Sequence, residues 1–239
     1  MPRGMEVQVF LAAIIVKRSI INSHIREAKE FIAKMQFALP PFAYWTPDEW
    51  KNLDPEYDEI RDNQLGWDLT DFGSGDFGKI GLFLFTLRNG NINIPSNKTY
   101  AEKLLIVKPG QLTPYHFHGL KMEDIINRGG GGTLKVQLYR SLDARTLDTQ
   151  SDVPVSVDGR NYTVKAGTVI NLGTGESITL RQGVFHQFWS DDATLLLGEV
   201  SMVNDDHKDN FFLEERGRFP SIDEDEEPLH LLVGDYVKL

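Results

Sequence analysis

The order of apolar and polar positions divides the chain into a helical beginning and a long β-rich remainder. Ile21, Ile25, Ala28, Ile32 and Met35 recur at steps of four, three, four and three, with charged residues between them. That spacing puts them on one stripe of a helix, which predicts a helix packed on the outside of a sheet. Thr46-Pro47-Asp48-Glu49 then combines an N-cap hydroxyl, a proline suited to the first helical position and two acids favoured by the helix dipole. A second, short helix is expected to start there. Residues 51–79 mix Asp, Gly, Asn and aromatics without a period and read as a long irregular connection with edge pairing at most.

From Ile80 onward the pattern becomes short β-rich runs separated by turns: Ile80 to Leu87, Lys103 to Val107, Leu134 to Tyr139, Val153 to Val157, Tyr162 to Val164, Val184 to Trp189 and Leu195 to Val203. Short strands at this frequency predict an antiparallel sandwich or barrel. Asp158-Gly159 between two of the runs predicts a hairpin, because both residues tolerate positive φ. Gly129 to Gly132 invites comparison with a phosphate-binding loop, yet no Lys-Ser/Thr pair follows, and a tight barrel corner is the better account. No internal repeat stands out. Asp223 to Glu227 are five consecutive carboxylates, expected to form a solvated face or loop.

Composition narrows the function. At 239 residues the chain suits one domain. Acidic residues outnumber basic ones 35 to 25, and the resulting net charge of -10 repels phosphate backbones and anionic surfaces, which argues against nucleic acid and membrane partners. Cysteine is absent, which excludes disulfides and thiolate chemistry and fits a cytoplasmic protein. The apolar run Val9 to Val16 falls far short of the roughly 18 residues needed to span a bilayer. Arg3, that run and Lys17-Arg18 resemble the start of a signal peptide, but no small-x-small cleavage site follows. Organised sequence begins near Val16. Residues 1–15 are therefore expected to be a disordered or dispensable extension, and 16–239 a single domain whose helical segment covers about 16–55.

The chemistry concentrates between Pro109 and Glu123. Residues two apart on a strand point the same way, so His116 and His118 converge while Phe117 faces the opposite layer. Gly119 lets the chain turn, and Glu123 can return a carboxylate to the same point from the next strand. His186, on a β-rich run opened by Gly183, is the fourth candidate ligand. A lone strand histidine is more often a bonded core residue. Two imidazoles and a carboxylate buried together without a cation, however, would be costly, which favours a metal site. This donor set suits manganese, iron, cobalt, nickel or zinc, and affinity order alone does not choose among them. His24, His207 and His230 sit in helical, polar or tail contexts and read as surface or structural residues.

Gly110, His116-x-His118, Glu123 and Gly129-Gly130 together resemble the first cupin motif, and Gly175 with Gly183-x-x-His186 resembles the second. Arg181 and Ser190 depart from the proline and asparagine usual there, which bears on a turn and not on the ligands. The resemblance implies a mainly β fold, a jelly-roll-like cupin β-barrel with the N-terminal helices packed outside. Three longer segments, Phe37–Trp45 (FALPPFAYW), Met122–Gly130 (MEDIINRGG) and Gly198–Asp206 (GEVSMVNDD), are similar to the bacterial D-lyxose isomerase family. That similarity implies a homodimer using a divalent metal, typically manganese, to interconvert D-lyxose with D-xylulose and often D-mannose with D-fructose.

Such a reaction moves a proton between C1 and C2 of the open-chain sugar, so it needs a polarised carbonyl and a base over the carbon acid. Lys121 inside the metal motif, Lys103 on a strand entering it, Glu199 and a tail acid such as Glu224 are the candidates, and the resemblance implies a lysine–glutamate pair. Two other classes stay open at this stage. A cupin dioxygenase would contain iron and consume oxygen, and a non-catalytic sugar-binding cupin would bind sugar without turnover. Removing residues 1–15 is expected to leave the melting temperature nearly unchanged in thermal denaturation, and a large drop would place Val9 to Val16 in packed structure.

Overall fold

The computed structural model describes residues 15–94, 98–206, 208–217 and 221–238. The expectation for residues 1–15 therefore lies outside the described residues, except for Ile15. Two antiparallel sheets make the body. The larger has eight strands in the order Arg160–Val164, Val153–Val157, Ser177–Leu180, Glu123–Gly129, Leu195–Met202, Tyr100–Val107, Leu82–Arg88 and Gly66–Thr70. The smaller runs Val169–Leu172, Leu134–Asp143, Val184–Trp189, Leu112–Phe117 and Phe211–Phe212, with Thr146–Asp148 paired onto Leu134–Asp143. The sheets curl over a common core into the cupin-type barrel. Among the described residues no helix is long and apolar enough to cross a membrane.

Two apolar layers share one sheet. Leu82, Leu84, Leu105, Val107, Leu195 and Leu197 face the barrel interior, whereas the residues between them, Phe83, Phe85, Leu104, Ile106 and Leu196, belong to a second core. This second layer is where helix Arg18–Lys34 lies, burying Ile21, Ile25, Ala28 and Ile32. Because successive strand residues point to opposite faces, a strand covered on both sides reads as an unbroken apolar run. Helix Pro47–Lys51 starts at Thr46 in a complete capping box with Glu49, as expected. Asp158 and Gly159, with φ of 49° and 79°, form the hairpin between Val153–Val157 and Arg160–Val164. The corner at Gly129–Gly131 has positive φ throughout. A Cβ at Gly130 would sit 2.1 Å from the Thr194 carbonyl oxygen, so this corner demands glycine.

The structure adds detail to the expectations for residues 51–79 and corrects the one for the acidic tail. Residues 51–79 gain a short helix, Asp58–Asp62, and contain the expected edge pairing in Gly66–Thr70, a buried strand at one edge of the larger sheet. Its single aromatic and its acid hid a strand whose burial comes from the helical layer. Strand Ile15–Lys17 precedes the long helix and pairs in parallel with Ser221–Asp223. The acidic tail is not merely solvated, because it caps the helix that lacks a cap of its own. Lys17 at the N-cap makes no side-chain cap bond, and the carboxylate of Asp225 accepts from the Ser19 N–H at 2.9 Å and its hydroxyl at 2.7 Å. Asn22 donates to Glu226 at 2.6 Å.

The fully buried Arg18 ties this region together. Its guanidinium donates to Glu224 at 2.7 and 2.8 Å and to Asp235 at 2.9 and 2.9 Å, two paired contacts that match its planar fork. Asp235 is buried, so Arg18→Met would leave its charge without this partner. The variant is expected to lose on the order of 3 kcal/mol of unfolding free energy, read as a lower urea midpoint; an unshifted midpoint would show the clamp to be neutral.

Candidate metal centre

The site is assembled where the two sheets face each other. His116, on Leu112–Phe117, and His186, on Val184–Trp189, are direct cross-strand partners, so their side chains leave the smaller sheet on the same side. His118 follows one residue past the strand end, and its ring lies 5.2 Å from that of His116. Glu123 opens strand Glu123–Gly129 of the larger sheet, opposite Leu180 and Ser201, and brings the fourth group across the barrel. All four side chains are buried, and four ligand atoms, one from each, lie within 4.8 Å of one another. The structure thus brings together the four residues singled out in the sequence.

Tautomers explain what the cluster can do. Each imidazole Nδ1 faces a backbone carbonyl oxygen: His116 that of Pro114 at 2.9 Å, His118 that of Asp209 at 3.0 Å and His186 that of Val184 at 3.0 Å. A carbonyl only accepts, so each Nδ1 carries the ring hydrogen and each Nε2 presents a lone pair to the centre. The Nε2 atoms of His116 and His186 are 3.1 Å apart, and those of His118 and His186 are each 3.3 Å from Glu123 Oε1. Burial, reinforced by the neighbouring His186 and His118, holds His116 well below the usual histidine range and keeps it neutral. His118 Nε2 is buried without a hydrogen bond. Four acceptors aimed at one point repel unless a cation lies between them. Three nitrogens and one carboxylate oxygen fit a divalent first-row ion, with one net positive charge left over.

A second set of charges adjoins the first. Lys121 Nζ bonds Glu123 Oε2 at 2.6 Å, Glu199 Oε1 at 2.8 Å and Asn204 Oδ1 at 3.1 Å. Glu123 therefore turns one oxygen to the histidines and the other to a lysine. Desolvation works against the Lys121 ammonium, but Glu123, Glu199 and Asp206 outweigh it and raise its pKa above the ordinary lysine value. Burial likewise works against the Glu123 carboxylate, and the Lys121 ammonium nevertheless holds it well below the usual range. Lys103 is buried opposite, 3.7 Å from Glu199 Oε1 and 3.4 Å from Asp206 Oδ2. Lys121, Lys103 and Glu199 thus lie together next to Glu123.

Glu224 does not join them. It is engaged with Arg18 at the start of the long helix and does not line the cavity that His116, His118 and Glu123 share. His24 lies beside Phe77 and His230 bonds the Trp45 carbonyl at 2.9 Å, both structural as expected, while His207 lies outside the described residues. Sequence reasoning missed Asp209. Its carboxylate accepts the backbone N–H groups of Gly119, Leu120 and Lys121 at 2.8–2.9 Å, and its carbonyl orients His118. The only hint was its place shortly after the Gly198–Asp206 segment.

The cavity at the cluster has a volume of about 50 Å³. A larger one of about 440 Å³ lies alongside and shares Leu84 and Asp206 with it. Two atoms of residues lining the smaller cavity are buried without a hydrogen bond, His118 Nε2 and Thr113 Oγ1. Leaving such a group unpaired costs about 1–3 kcal/mol.

Comparison with known proteins shows what this chain is similar to. The family model described as D-lyxose isomerase matches residues 16–236. The chain is 43% identical over 227 residues to a D-lyxose/D-mannose isomerase of Serratia proteamaculans, covering 93% of this chain and 99% of that protein. It is 44% identical over 225 residues to one of Escherichia coli O157:H7, covering 92% and 98%. Among solved structures, L-ribose isomerase of Cellulomonas parahominis superposes with a TM-score of 0.59 at 16% identity, over 89% of this chain and all of that one. L-ribose isomerase of Geodermatophilus obscurus gives 0.56 at 16% over the same shares. At such identities the solved structures speak for the fold alone.

Asp209 supports the ligands without supplying one of the four atoms. Asp209→Ala frees the three N–H groups of the turn between His118 and Glu123, so affinity for a divalent metal is expected to fall about tenfold to a hundredfold in a metal titration. Unchanged affinity would mean the turn holds its shape unaided.

Proposed function

This chain belongs to the D-lyxose isomerase family, and we propose that it is a metal-dependent aldose–ketose isomerase interconverting D-lyxose with D-xylulose and D-mannose with D-fructose. The observation that carries the reading is the position of Lys121, whose ammonium joins a carboxylate of the four-acceptor cluster to a second, separate carboxylate, Glu199. An isomerase needs this combination: a place for a cation beside an acid–base pair. His116, His118, Glu123 and His186 would hold the metal, manganese by family resemblance, with cobalt, iron, nickel and zinc compatible with the same donors. When bound, such an ion supplies Lewis acidity toward the oxygens on C1 and C2 of the open-chain sugar.

The chain's own groups then divide the proton transfers. Glu199, an acceptor between two ammonium groups, takes the proton from C2 of the aldose and returns it to C1. Lys121, kept charged by its acidic neighbours, gives a proton to the oxygen on C1 and regains one from the oxygen on C2. An enediol lies between the two transfers. Lys103 holds Glu199 in place from its other side, and Glu224 has a structural role with Arg18. Residues 16–239 act as one domain, and the family resemblance extends the proposal to a cytoplasmic homodimer.

The test is an assay of metal-loaded protein with D-lyxose, D-mannose and D-xylose, detecting ketose. Lys121→Met keeps the apolar stem and removes the ammonium. Turnover of D-lyxose should fall on the order of a hundredfold or more while bound metal stays near the wild-type level. Near-normal turnover with metal bound would move the role from Lys121 to Lys103.

A further inference from the structure

The hydroxyl of Thr113 takes no part in the proton transfers proposed for the site, and its position argues for another role. Regular alternation along Leu112–Phe117 would turn Thr113 away from the side that carries His116. The register with the neighbouring strand shows why it does not: His186 pairs with His116, but Phe188 pairs with Thr113, so three steps on one strand match two on the other. This bulge brings Thr113 to the face shared by His116, His186 and the interior core residue Phe188. Bulges of this kind re-aim side chains next to functional sites.

Thr113 is 1% exposed and lines the same cavity as His116, His118, Lys121, Glu123 and Glu199, and its Oγ1 has no hydrogen-bond partner. The rest of that wall is largely apolar, including Leu84, Leu105, Ile125 and Phe188. Valine has nearly the shape of threonine and would fill this position without a buried unpaired hydroxyl. A group that both donates and accepts, held unpaired on the wall of the cavity that Lys121 and Glu199 also line, suits a ligand that also does both.

We propose that Thr113 is a substrate-recognition residue whose hydroxyl bonds a hydroxyl group of the bound sugar. The inference rests on the isomerase reading, since that reading puts a polyhydroxylated aldose across this cavity and the larger one alongside it. It adds a contact that serves selection rather than proton transfer. A substrate lacking the matching hydroxyl leaves Thr113 unpaired, so the contact discriminates among aldoses.

The experiment compares wild type, Thr113→Val and Thr113→Ser as full-length, manganese-loaded proteins. The readouts are melting temperature, bound metal, KM and kcat for D-lyxose, and the affinity of D-arabinitol, an unreactive polyol with the D-lyxose hydroxyl pattern. Thr113→Val should keep its bound metal and melt at or above the wild-type temperature. Its KM and its D-arabinitol dissociation constant should rise about five- to tenfold, as expected for one lost neutral hydrogen bond, with kcat changed less. Thr113→Ser should recover most of the binding. Unchanged KM and polyol affinity in Thr113→Val would overturn the proposal, as would a loss that tracks metal content or melting temperature. If wild type binds D-arabinitol but isomerises no aldose, the reaction assigned above fails while the binding comparison still decides Thr113. No polyol binding by wild type overturns the recognition role.

Discussion

Three imidazole lone pairs and a carboxylate oxygen converge inside an apolar barrel, and this electrostatic conflict organises the site around it. Acceptors 3.1 to 3.3 Å apart, with every Nδ1 hydrogen already committed to a backbone carbonyl, have no favourable arrangement except around a positive charge. Protonating His116 is not the solution the protein adopts, because burial and the adjacent rings oppose it. The barrel makes the conflict possible by supplying ligands from both sheets, and the same placement sets Lys121 between Glu123 and Glu199. In the proposed function the metal-binding cluster and the acid–base pair therefore meet at one carboxylate, with Oε1 of Glu123 toward the histidines and Oε2 toward Lys121.

The scaffold that holds this geometry depends on a sheet buried on both faces. One face of Leu82–Arg88, Tyr100–Val107 and Leu195–Met202 completes the barrel core, and the other is covered by the long helix. The helix is in turn held by the tail, through Arg18 to Glu224 and Asp235 and through Ser19 to Asp225. Contacts separated by more than 200 residues in sequence thus close the outer layer over the sheet that carries Glu123 and Glu199. Closer to the ligands, Asp209 does the equivalent work for the turn that carries Lys121.

What could be read from the sequence follows from how local the signal is. The helical stripe from Ile21 to Ile32, the Thr46 cap and the hairpin at Asp158-Gly159 are local patterns, and each was legible. His116 and His118 were legible because a two-residue step has one meaning on a strand. The roles of Glu224 and Arg18 were hidden, since a run of carboxylates looks solvated until its distant partner is known. Asp209 acts through backbone N–H groups, which carry no residue signature. Thr113 was hidden for a third reason: a bulge reverses the parity of a strand, and nothing in the Leu112–Phe117 segment announces one.

The proposed reaction depends on the cation. The most direct measurement strips the protein of metal, adds manganese in steps, and determines bound metal and ketose formation from D-lyxose on the same samples. Activity should be absent at the start and rise in proportion to occupancy until one ion is bound per chain. Isomerisation by protein shown to be metal-free, or saturation with manganese that produces no ketose, would contradict it.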